Sequence, residues 1–103
     1  MKLINLTPHE IVISGHGTIP ASGQIARVNT QLMQIGHIDG IPMMVTRNMG
    51  LCNVPAPQPD TMYIVAGMVR MQLPERKDLC SPAKLLRNEH GAVVACAALE
   101  INA

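Results

Sequence analysis

Arg76 and Asp78 are the first residues in this sequence whose types and spacing suggest chemistry. They lie in the charged stretch Pro74-Glu75-Arg76-Lys77-Asp78. Opposite charges two residues apart suit a bidentate guanidinium–carboxylate pair, or a polar site for an anionic ligand. The structural reading has Asp78 capping a turn and Arg76 satisfying nearby carbonyls, as loop carboxylates often do. Arg87, and Tyr63 as the only aromatic ring, complete the candidate binding residues.

Four histidines, His9, His16, His37 and His90, all lie beside turn residues. Zinc sites draw on Cys and His in closely spaced pairs, and Cys52, Cys80 and Cys96 lie far apart. No metal site is expected. A nucleophile assembled from Cys80 and His90 has only the neighbouring Arg76 and Lys77 to lower a thiol pKa. Cys96, within Ala92-Val93-Val94-Ala95-Cys96-Ala97-Ala98, reads as a small core residue. Gly15-His16-Gly17 lacks the further glycine, helix start and lysine of a phosphate-binding loop, and reads as a turn. These residues give no catalytic constellation and no cofactor.

The chain has 103 residues, 48% of them hydrophobic and 15% charged, with a formal net charge of +1. That composition fits one globular domain spanning residues 1–103 and disfavours intrinsic disorder. Near-neutral charge provides no field for nucleic acid, and one aromatic ring provides no stacking platform. Nucleic acid is therefore not an expected principal partner. An odd number of scattered cysteines fits a reducing cytoplasm. Met1-Lys2-Leu3-Ile4-Asn5-Leu6 runs into Thr7-Pro8-His9-Glu10 without the apolar core of a signal peptide, and no segment is expected to cross a membrane.

The elements that must position these residues surround Met62–Leu73, a nearly uncharged run read as a buried centre. Its pattern suggests a strand through Val65 and then one short helix, with a bulged strand as the alternative. Before it, Glu10–Ser14 and Gln24–Asn29 read as strands. Leu32–Ile38 and Ile41–Arg47 flank Asp39-Gly40, the dipeptide of two-residue type I′ hairpins, and Pro42 places that hairpin at a sheet edge. Asn48–Pro59 reads as a Pro/Gly-rich loop and Pro74–Pro82 as a charged one. Lys84–Arg87 and Ala92–Ile101 form a last hairpin around Asn88-Glu89-His90-Gly91. The expectation is a mainly β fold, a compact barrel or sandwich of about seven short antiparallel strands with at most one short helix. Eight methionines in a chain without Phe or Trp are expected to fill the core. Alternatively, Met43-Met44 and Met68/Met71 mark an adaptable binding face.

Several pieces together carry a resemblance: Asn5-Leu6-Thr7-Pro8-His9-Glu10, Tyr63-Ile64-Val65, and Arg76, Asp78-Leu79 and Pro82. With them the chain resembles small uncharacterised proteins encoded by bacteria and their phages. The resemblance implies an intracellular setting and a phage origin, and it brings no mechanism. The expected function is a cytoplasmic protein-binding module, such as an inhibitor of host or defence machinery. The alternatives are a small-molecule-binding or enzymatic barrel for an anionic metabolite or nucleotide, and a self-assembling or phage structural subunit that forms a homo-oligomer.

Overall fold

The computed structural model describes residues 1–103 as eight strands and one helix. In chain order they are β1 (Lys2–Asn5), β2 (Ile11–Ile13), β3 (Gly17–Ile19), β4 (Arg27–Ile38) and β5 (Ile41–Cys52). Then come β6 (Thr61–Ile64), α1 (Gly67–Met71), β7 (Leu79–Arg87) and β8 (Val93–Ile101). The mainly β architecture with one short helix is as the sequence suggests. The ambiguous run after Val65 resolves into the helix.

Six strands form one sheet in the order β1-β6-β7-β8-β2-β3. The sheet curls until its two outer strands nearly meet, and a bridge between Asn5 and Ala21 joins the ends into a barrel-like ring. Strand direction departs from the all-antiparallel expectation. β1–β6, β6–β7 and β2–β8 run parallel, while β2–β3 and β7–β8 are antiparallel. The reason is topological. A hairpin advertises itself by its turn, whereas a parallel pair is joined through long connections that leave no local pattern. β6, α1 and β7 form one such crossover.

Leu6, Ala26, Tyr63, Val65, Val69 and Leu79 make the core, with Val28, Leu51 and Leu73 packed against it. The central run is buried as expected, since Ile64 and Val65 are fully inaccessible. The expected role of methionine as core filler is overturned. Met43, Met44, Met49, Met68 and Met71 are all exposed. The buried core is made instead of Tyr63 and aliphatic residues.

β4 and β5 stand apart as a separate two-stranded ribbon, each strand 12 residues long rather than short. The turn is as the Asp39-Gly40 dipeptide predicts, with φ of 52° and 80°, both positive as type I′ demands. Two expected loops prove to be strand. At Asn48–Cys52 the register shifts between Thr30↔Asn48 and Val28↔Leu51, and the Asn48 side chain accepts from the Gly50 N–H at 2.8 Å. Gly50 therefore serves a bulge and not a loop. At Leu79–Ser81, three buried residues open β7, a start concealed in the sequence by the adjacent charges.

Candidate functional site

Arg76 and Asp78 lie in the crossover between α1 and β7. Arg76 Nε and Nη2 donate to the two carboxylate oxygens of Asp78, each at 2.8 Å, and Nη2 also donates to the Pro55 carbonyl at 2.8 Å. The Asp78 carbonyl accepts from the Tyr63 N–H at 2.8 Å, so the pair sits where β6 meets the incoming β7. Both side chains are largely covered. This geometry pins the Pro55 loop to the crossover and leaves the fork turned inward.

The Arg76 hydrogen bonds hold the Asp78 carboxyl below its ordinary value of 3.8, against an opposing push from burial. A depressed folded-state pKa stabilises above the unfolded value, and that stabilisation is lost as pH falls through the folded one. Wild-type Tm is therefore expected to drop below about pH 4. Asp78→Asn should cost on the order of 2 kcal/mol at neutral pH and flatten that acid decline. An unaltered acid decline in the variant, followed by thermal melts from neutral to low pH, would remove this pair as its source.

The other two candidate residues lie elsewhere. Tyr63 is 2% exposed within the core, its hydroxyl donating to the Ala56 carbonyl at 3.3 Å, so no face of the ring is offered to a partner. Arg87 is exposed at the far end of β7, where Nη1 donates to the Gly91 carbonyl at 2.9 Å across the hairpin turn. The structure brings Tyr63, Arg76 and Asp78 together as a packing junction and leaves Arg87 outside it.

Cys80 is inaccessible, its thiol 3.5 Å from the Tyr63 carbonyl, and burial pushes its pKa up to about 11. A thiol held protonated is no nucleophile at neutral pH, and His90 is an exposed turn residue. Cys96 is buried, as expected of a core residue. No three His, Cys, Asp or Glu side chains converge as a metal site would require.

Two polar clusters escaped sequence reasoning. Arg70, 9% exposed, donates to Ser81 Oγ at 2.9 Å and to Asn102 Oδ1 at 3.0 Å. The Asn102 amide in turn donates to the carbonyls of Arg70, Leu73 and Arg76, tying the chain after β8 to the turn that ends α1. Its signal was an arginine inside an otherwise apolar run. The second cluster is Asn5, 1% exposed, whose amide donates to the His9 and Ile19 carbonyls. Its Oδ1 accepts from the Thr7 N–H at 2.9 Å and from the Thr7 hydroxyl at 2.6 Å. The Asn5-Leu6-Thr7-Pro8-His9-Glu10 opening thus serves to close the barrel.

What remains outward-facing is the β4–β5 arm. Strand alternation and the observed register place Met33, Val45, Met43, Ile38 and Ile41 on one face, with Gln31 and Arg47 toward its root, and Thr30, Asn48, Leu32, Thr46, Gln34 and Met44 on the other. At the arm's root it is the other face that turns toward the core, where Val28 and Leu51 share a side with Thr30 and Asn48 and the Asn48 amide donates to Gln72 Oε1 at 2.7 Å. The Met33–Val45 face stands in solvent along the arm, with Ile38 61% and Ile41 63% exposed at the tip. The sequence suggests an edge for this hairpin and, as the alternative to core filling, an adaptable face marked by Met43-Met44 and Met68/Met71. The alternation separates the first pair, with Met43 on the stripe and Met44 behind it.

No family model, curated protein or solved structure matches the chain. The architecture itself defines the class: a small barrel-like β domain bearing one projecting two-stranded arm with an apolar face. No helix is long and apolar enough to cross a membrane.

Proposed function

We propose that the protein is a protein-binding module whose working surface is the apolar face of the β4–β5 arm. One observation carries this reading: the arm outruns the core, and Val45, Met43, Ile38 and Ile41 on one of its faces stand exposed with nothing covering them. A two-stranded ribbon is marginal in water without a third strand or a packed face, so an arm of this length calls for a partner. Contiguous exposed apolar surface marks interaction sites, and Met-rich faces adapt to what they bind. The anionic-ligand reading loses its carrier, because Arg76 and Asp78 satisfy one another. On the resemblance to phage-encoded proteins, the narrower proposal is an accessory or inhibitory factor acting in the bacterial cytoplasm. The self-assembly alternative uses the same face.

The test is a tagged pull-down from bacterial lysate that also contains an untagged copy of the chain. It is run with wild type and with a folded Met33→Lys/Val45→Glu variant. Wild type is expected to recover one stoichiometric protein, foreign or self, and the variant to recover none. A wild type that recovers neither, or a variant that recovers as much, sinks the reading.

A further inference from the structure

The monomer exposes more surface than its size warrants. A folded chain of 11.1 kDa is expected to expose about 5,650 Å², whereas this one exposes 6927 Å². Its radius of gyration is 16.7 Å, against about 13 Å for a compact domain of this length. Only 14 of 103 residues are buried. The excess, about 1,300 Å² per chain, falls in the range that each subunit of an obligate homodimer buries.

We infer that the occupant of the arm's apolar face is the same face of a second copy, the two arms stacking as a two-fold dimer. The inference rests on the protein-binding reading above and names its partner. The stripe offers a partner apolar surface and almost no charge. Arg27, Asp39 and Arg47 are the only Asp, Glu, Lys or Arg residues on the arm, and Asp39 is in the turn. Arg47, paired with Gln31 at the root end, is the one charge on the stripe, and a face otherwise apolar complements itself in a two-fold arrangement, where one patch meets itself. The net charge of +1 adds little repulsion between copies. Strands of this length reach roughly 40 Å, and two such ribbons packed face to face about 10 Å apart make a four-stranded sandwich. The sandwich also supplies the cover that a lone ribbon lacks.

The experiment is sedimentation of the full chain across concentration. Met33→Lys/Val45→Glu places an opposite-charge pair on the stripe at directly paired positions, so the ribbon keeps its cross-strand partner while the face turns polar. Leu32→Lys/Thr46→Glu does the same on the opposite face. Wild type and the opposite-face variant are expected at the mass of two chains and the stripe variant at one. Should the charged stripe variant fail to fold, the β-compatible Met33→Gln/Val45→Thr is expected to weaken the dimer by about tenfold or more. Any other wild-type mass, or stripe variants that dimerise as wild type does, overturns the inference. If the wild type is a single chain but still captures a foreign protein that the stripe variant loses, self-pairing is wrong and the protein-binding reading stands.

Discussion

Arg70→Ala is expected to destabilise the fold by about 3 kcal/mol, one of the two largest effects of substitutions outside the apolar core. The argument begins with what the guanidinium holds. It bonds Ser81 on β7 and Asn102 beyond β8, and Asn102 holds three carbonyls around the end of α1. Truncation leaves Ser81 Oγ and Asn102 Oδ1 without their charged donor at buried positions, and unpaired buried polar groups each cost about 1–3 kcal/mol. The ion pair with Glu100, at 3.3 Å, contributes little because Glu100 is 59% exposed. Glu100→Ala should therefore shift urea unfolding only slightly. If the two variants lose stability equally, the cost lies in the ion pair and the Ser81–Asn102 network is not its source.

Asn5→Ala is expected to cost a comparable amount, about 3 kcal/mol, through a different mechanism. The alanine cannot donate to the His9 and Ile19 carbonyls, nor accept from the Thr7 N–H, and all three meet where the ring closes. For a domain near 100 residues that loss lowers Tm by roughly 10–20 °C. Thr7→Val removes only the hydroxyl's share and should cost about 1 kcal/mol. Hydrogen exchange adds a spatial readout. Amides along β2 and β3 should lose protection first in Asn5→Ala, because that edge is held by the clasp. Uniform loss across all strands would mean that the clasp does not secure that edge in particular.

The parts of this fold that were legible in the sequence are those specified by neighbours along the chain. Asp39-Gly40 encodes its turn through two positive φ values, and Asn88–Gly91 encodes the last hairpin. Arg76 and Asp78 meet because two residues of spacing suffice. The barrel's closure was not legible, because Asn5 reaches Ala21 and β1 pairs with β6, and no short motif records such meetings. The methionines misled for a related reason. Composition says which side chains could fill a core, whereas which of them face it is a property of topology. The arm's stripe lies between the two cases. Its alternation is written in Met33, Val45, Met43 and Ile41, but only the register shows that these share a face and outrun the core.

The parallel pairings also govern the order of events in folding. Ile13 on β2 finds its β8 partner only at Cys96, and Lys2 on β1 finds its own only at Thr61. Contacts so distant in sequence carry a loop-closure entropy that slows folding relative to proteins built from local contacts. During synthesis, the first strands emerge long before the segments that complete the sheet around them. The β4–β5 hairpin pairs only with itself, so it can form within microseconds, although it stays marginal until its faces are covered. The arm can therefore pair transiently on the emerging chain while the barrel behind it still waits for its last strand.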